Sequence, residues 1–198
     1  MKTKILLTVV LLTTTLYSAA QLKVGDTAPD FKLKNIDHQM VALSDYSNQK
    51  GVVIAFTCNH CPYAKLYEQR LIGIQSAYGP KGFPVVAINP NDPDLVPDDS
   101  FEKMVSNARE KGFNFPYLVD DQSFFKQYGA TRTPHIFLLK REGEGFRVAY
   151  IGAIDDNPQN ADDVQDAYLA QAIEALLKGE NPAVTETKAI GCSIKFKK

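Results

Sequence analysis

An unbroken apolar run, Val52-Val53-Ile54-Ala55-Phe56, leads almost directly into Cys58-Asn59-His60-Cys61-Pro62, and a helical pattern follows. A run without polar alternation predicts a central strand covered on both faces. Proline is acceptable in a first helical turn. From there Leu66, Arg70, Ile74 and Tyr78 form one stripe, with Tyr67, Leu71 and Gln75 beside it, until Gly79-Pro80 stops the helix. The two cysteines therefore fall where a buried strand meets a helix N-terminus. Partial positive charge and free N–H groups there stabilise a thiolate, which is the nucleophile in disulfide exchange. A static staple is the competing reading, but a bridge across two residues constrains the unfolded chain little. The spacing points to a working redox pair.

The rest of the chain reads as alternating strands and helices. Phe31 to Leu33 and Met40 to Leu43 suggest an N-terminal hairpin around Asn35-Ile36-Asp37. Phe83 to Ile88 is a second buried strand, followed by the rigid loop Asn89-Pro90-Asn91-Asp92-Pro93. A helix is predicted from Ser100 to about Glu110, an extended segment at Phe115 to Val119, and a short helix from Gln122 to Tyr128. Ile136 to Lys140 and Phe146 to Tyr150 form a second hairpin, and a last helix runs from about Val164 to Leu177. This order implies an α/β fold with a central mixed sheet flanked by helices.

Residues 1–20 read as a cleaved signal peptide: Lys2 and Lys4, an apolar stretch from Ile5 to Leu16, then Ser18-Ala19-Ala20. Residues 21–198 are then one domain, exported to a periplasmic or extracellular space, with no stable membrane insertion after cleavage. Losing two lysines takes the net charge from −1 to −3. No basic cluster interleaved with aromatics suggests nucleic acid. No dinucleotide or phosphate-loop motif occurs, so no organic cofactor is implied. The acidic groups Asp92, Asp94, Asp98, Asp99 and Asp155, Asp156, Asp162, Asp163 read as solvated loop and helix-start charges, without an EF-hand loop. No resident metal is expected. The basic end, Lys195 to Lys198, reads as a solvated tail.

Several further motifs add a family resemblance. Gly25-Asp26-Thr27-Ala28-Pro29-Asp30-Phe31 resembles the opening of peroxiredoxin-like redoxins, the alkyl hydroperoxide reductase/thiol-specific antioxidant superfamily. Cys58 to Pro62 resembles a thioredoxin active site, and Thr133-Pro134 that fold's cis-proline loop. Ala87 to Asp92, Gly152 to Asp156 and Gly191-Cys192-Ser193-Ile194-Lys195 are similar to a peroxiredoxin-like subgroup carrying a C-x-x-C. The resemblance implies a thioredoxin-like fold. It also implies a cis Pro134 that exposes Thr133 as an edge for substrate, with Thr57 and Asn59 as further substrate contacts. The sequence departs from the pattern at Thr57, where thioredoxins usually carry tryptophan, and at Val52, where they bury an aspartate. The peroxiredoxin P-x-x-x-T-x-x-C motif is not completed before Cys58 or Cys61.

The expected roles are Cys58 as the more exposed, attacking sulfur and Cys61 as the resolving one. His60 would stabilise the reduced thiolate, or be a loop histidine of little effect. Cys192 is either an additional redox thiol or an inert buried one. The leading function is a thiol-disulfide oxidoreductase acting on a protein or small-molecule disulfide or dithiol, recharged by an unidentified redox partner. A thiol peroxidase is the alternative. A Cu(I) carrier using Cys58, Cys61 and His135 is a further one.

Overall fold

The computed structural model describes residues 21–121 and 123–197. The proposed leader lies outside them. The fold is built on the buried run read above: β3 (Gly51–Phe56) is buried at every position. It lies between β4 (Val85–Asn89), parallel, and β7 (His135–Glu142), antiparallel. Beyond β4 come β5 (Tyr117–Val119), parallel, then β1 (Lys32–Asn35) and β2 (Met40–Ala42), both antiparallel. Beyond β7 lies β8 (Gly145–Gly152). The seven strands thus run in the order β2-β1-β5-β4-β3-β7-β8. The N-terminal hairpin extends the main sheet through β5.

Alternation along the strands separates two core layers. Val52, Ile54 and Phe56 pack with Val86, Ile88, Phe137 and Leu139 on one face. The short helix α3 (Phe125–Tyr128) closes that side. Val53 and Ala55 face the other way. There they meet α1 (Pro62–Tyr78), α2 (Phe101–Lys111) and α4 (Tyr168–Leu177) through Tyr67, Leu71, Met104 and Leu169. Burying one leucine or phenylalanine contributes about 1.5–3 kcal/mol, so both layers are strongly stabilising.

The buried face of α1 differs from the expected stripe. Ala64, Tyr67, Glu68 and Leu71 are inside, whereas Leu66 is 46% exposed. Polar partners explain the rotation: Asn107 donates to Glu68 at 2.9 Å, and Arg70 donates to Asp155 at 2.6 Å. The start of α4 is also later than expected, because 161–163 form a separate turn and the Gln165 N–H is held by Asp156.

The tail is the largest departure from the sequence reading. β9 (Cys192–Ser193) pairs antiparallel with β6 (Arg132–Thr133), in the register Thr133↔Cys192. The Lys195 N–H donates to Asn91 at 2.8 Å, and the Asp92 N–H donates to the Lys195 carbonyl at 2.8 Å. Phe196 packs on Phe125, and Lys197 pairs with Asp94. The basic end is docked along the 89–94 loop, while Lys195 and Lys197 remain exposed to solvent as expected.

Candidate active site

Cys58 follows β3 and Cys61 is the N-cap of α1, with Pro62 at its first position. Both are buried, at 2% and 0% exposure. Cys58 is the more exposed of the two only by this small margin, because the loop bearing Asp99 and the C-terminal tail close around the pair. Cys192 is the half-buried member of the same sulfur cluster. All three thiols are unbridged.

The Thr133–Pro134 bond is cis. The Thr133 hydroxyl lies 3.1 Å from the Cys58 sulfur. When protonated, the Cys61 thiol donates to the Thr133 carbonyl at 3.2 Å. The edge that Thr133 was expected to offer a substrate is instead occupied by the chain's own β9. The Cys192 N–H donates to the Cys61 sulfur at 3.3 Å.

Asp99 is the functional candidate that the sequence reading misassigned to a solvated loop. It is 3% exposed. Its carboxylate accepts from the N–H of Asn59 at 2.7 Å, from the N–H of His60 at 3.3 Å and from the Asn91 amide at 2.8 Å. It also meets His60 Nδ1 at 2.6 Å. The Nδ1 of His60 is therefore engaged by Asp99, not by the Cys58 sulfur. Asp99 thus places an acid beside Cys58 although the position used in thioredoxins is Val52. No local pattern announces this, since about forty residues separate the partners. Asn91 lay in a motif already noted; Asp99 did not. Asp155 was read the same way and is also buried, bonded to Tyr67 and Arg70.

Thr57 and Asn59 are both held within the scaffold beside the cysteines. They are 4% and 6% exposed. The Thr57 N–H is bonded to Ile88, and the Asn59 side chain to Asp98 and Tyr117. His135 does not complete a copper site with the cysteines. Its Nδ1 accepts from the Thr131 N–H at 3.4 Å, and its ring packs on Phe137. Among the described residues, the donor atoms that converge within 4.8 Å are those of Cys58, His60 and Asp99.

The two central thiols share a proton unequally. Contact with Cys61, burial and the Asp99 charge push the Cys58 thiol well up. The hydrogen bond from Cys58 draws the Cys61 thiol down, and the contacts from Cys192 add to this. Within the pair, the Cys61 thiol is thus held lower and the Cys58 thiol higher.

Comparison with known proteins fits this geometry. A crystal structure of a hypothetical protein from Sinorhizobium meliloti 1021 superposes with a TM-score of 0.82 at 36% identity, covering 90% of this chain and 97% of that one. The thiol-disulfide oxidoreductase ResA of Geobacillus thermodenitrificans (strain NG80-2) is 32% identical over 125 residues. That match spans 61% of this chain and 66% of the relative. A Helicobacter pylori protein (strain J99) assigned as the peroxiredoxin bcp is 27% identical over 113 residues, 55% of this chain and 69% of that one. The AhpC/TSA family model matches residues 24–151, which takes in the sheet from β1 to all but the last residue of β8, both central cysteines and the cis-proline. The chain belongs to the AhpC/TSA family.

Proposed function

We propose that this protein is a thiol-disulfide oxidoreductase whose Cys58–Cys61 pair cycles between dithiol and disulfide. The observation that carries the reading is the placement of two adjacent thiols at the head of α1, one against the Thr133 hydroxyl and the other against the Thr133 carbonyl. Similarity to ResA supports it. Cys58 attacks a substrate disulfide; a Cys58–substrate bond forms and one substrate sulfur leaves as thiolate. The Cys61 thiolate takes the Cys58 proton as it attacks. The leaving thiolate or water then removes that proton from Cys61. Cys61 displaces the second substrate sulfur and closes the Cys58–Cys61 disulfide. The sum is one disulfide reduced and one formed, and the reverse sequence oxidises a dithiol. Substrates are disulfides or dithiols of proteins or small molecules. The N-terminal leader pattern supports an exported site of action, which N-terminal sequencing of secreted protein would test.

Trapping tests the roles. With oxidised glutathione as probe, Cys61→Ser should accumulate a mixed disulfide on Cys58, because the resolving thiol is gone. Turnover should fall to the background of the uncatalysed exchange. An adduct only on Cys61 in Cys58→Ser, with none on Cys58 in Cys61→Ser, would reverse the assignment.

A peroxidase reading has one structural observation in its favour. Thr133 brings a hydroxyl to 3.1 Å from the Cys58 sulfur, although the sequence lacks the peroxiredoxin motif. Peroxide would then oxidise Cys58 to a sulfenic acid with release of water, and Cys61 would displace a second water to form the disulfide. Saturable peroxide consumption with a dimedone-trapped Cys58 sulfenate would establish it; second-order oxidation no faster than that of a free thiol would dismiss it.

A further inference from the structure

We propose that Cys192 is a third working thiol, held by the C-terminal tail so that it exchanges with the Cys58–Cys61 disulfide through Cys61. This rests on the oxidoreductase reading above and adds a catalytic group to the same site.

Three independent features place Cys192 there. The first is contact. Cys61 is the shared neighbour of the other two sulfurs, with the Cys58 thiol on one side and Cys192 on the other. The Cys192 N–H lies 3.3 Å from the Cys61 sulfur, and the Cys192 thiol is itself a hydrogen-bond partner of the Cys61 thiol.

The second feature is the construction of the tail. β9 fills the backbone edge beside the cis-proline, with Cys192 paired to Thr133. That approach depends on Gly191, where a Cβ would run into the Thr133 carbonyl. Further anchors hold the segment: Arg132 on the Gly191 carbonyl at 2.8 Å, the Ile194 N–H on Thr131 at 3.2 Å, and Asn91 on Lys195. An inert cysteine needs none of this.

The third feature is accessibility. Cys58 and Cys61 are closed to solvent, and Cys192 is the half-buried sulfur of the cluster. It is therefore the one an outside thiol reaches first.

The exchange balances without an added oxidant. The Cys192 thiol loses its proton to water and attacks the Cys61 sulfur of the Cys58–Cys61 disulfide. A Cys61–Cys192 bond forms, the Cys58–Cys61 bond breaks, and the electron pair leaves with Cys58 as thiolate. One disulfide is exchanged for another. The molecule stays oxidised but now holds a free Cys58, free to open a substrate disulfide. An external thiolate can also attack Cys192, forming a mixed disulfide there and releasing the Cys61 thiolate. Burial first, then contact with Cys61 and its charge, push the Cys192 thiol up to about 11. Oxidation of Cys61 removes the Cys61 charge, so Cys192 ionises more readily once the central disulfide has formed.

The test maps disulfides in the full chain after one equivalent of diamide, with acid quench, alkylation of free thiols and mass spectrometry. Cys58→Ser should convert from two free thiols to a predominantly intramolecular Cys61–Cys192 disulfide. Two free thiols, or only intermolecular and mixed adducts, would overturn the proposal. In the wild type, a Cys61–Cys192 species should grow at the expense of Cys58–Cys61; its complete absence at equilibrium also counts against exchange, and this readout stands even if Cys58→Ser does not fold. Cys192→Ser separates the two readings. It should still form Cys58–Cys61 in full while losing every Cys61–Cys192 product. If neither it nor the wild type forms Cys58–Cys61, the oxidoreductase reading itself fails.

Discussion

Cys58 and Cys61 sit three residues apart, yet they face chemically opposite neighbourhoods. Around Cys58 the loop at 98–99 contributes a buried carboxylate, already tied to His60 and to two backbone N–H groups. Around Cys61 the tail contributes an N–H donor and a third sulfur. An anion disfavours a second negative charge beside it, whereas a hydrogen-bond donor favours one. The Cys61 thiol is consequently drawn down and the Cys58 thiol pushed up. The C-x-x-C spacing supplies two sulfurs in reach of each other; segments far away in sequence divide the work between them.

Removing the acid should have the largest effect. Asp99→Ala leaves the Asn59 and His60 N–H groups, the Asn91 amide and the His60 ring without their common acceptor. Breaking a buried polar pair from one side costs about 3–5 kcal/mol, so the urea midpoint should fall steeply. Asp99→Asn keeps the shape and should cost less, while letting Cys58 ionise at lower pH, as read by its alkylation profile. A stability loss below about 1 kcal/mol for Asp99→Ala would show that this side of the pair is not built around the carboxylate.

His135 tests whether acid sensitivity belongs to the sulfurs or to the strand beneath them. Burial, then the Arg132 charge, lower its pKa from 6.5 to about 4. Its Nδ1 already accepts from Thr131. The unfolded chain therefore binds the proton more readily between these values. The neutral ring's advantage is complete above about pH 6.5 and is lost as pH falls towards 4, amounting to about 3 kcal/mol at most. His135→Phe should flatten this part of the stability profile, measured by urea unfolding between pH 7.5 and 4.5. An unchanged slope would assign the acid sensitivity elsewhere.

The tail side is probed by Gly191→Ala. The added methyl meets the Thr133 carbonyl, and crowding of this kind costs about 1–3 kcal/mol. Displacement of β9 would remove the Cys192 N–H from Cys61. The Cys61 alkylation profile should therefore move to higher pH, with Cys58 little affected through the Asp99 side. A shift confined to Cys58 would contradict the division between the two neighbourhoods.

What was legible in the sequence follows from how local its cause is. The apolar run at 52–56 marked the central strand, and Pro62 with Gly79-Pro80 bracketed α1 closely. Gly112 and Gly129 take left-handed conformations just after α2 and α3, so both helix ends were readable. The Cys58–Cys61 pair was likewise contained within one turn. Asp99, the docked tail and the filled Thr133 edge were not, because each depends on a contact across 40 to 131 residues. An aspartate in an acidic loop looks solvated until the fold supplies four donors. A short β9 gives no periodicity to read, and the face of α1 was turned by Glu68 and Arg70 finding partners on other elements.

Thr133 touches both sulfurs, and it does so with different atoms, which makes it the finest probe of the contrast. Its hydroxyl lies against Cys58 and its carbonyl against Cys61. Thr133→Val keeps the backbone and nearly the same volume while deleting only the hydroxyl. The hydroxyl lowers the Cys58 thiol against the stronger influences that raise it. Its loss should therefore push Cys58 further up, at a stability cost of about 1 kcal/mol. Alkylation of Cys58 at fixed pH should slow by up to about tenfold, while Cys61, bound through the unchanged carbonyl, keeps its profile. Equal slowing at both cysteines would mean that the substitution had moved the cis-proline loop as a whole, and that the two sulfurs share one environment after all.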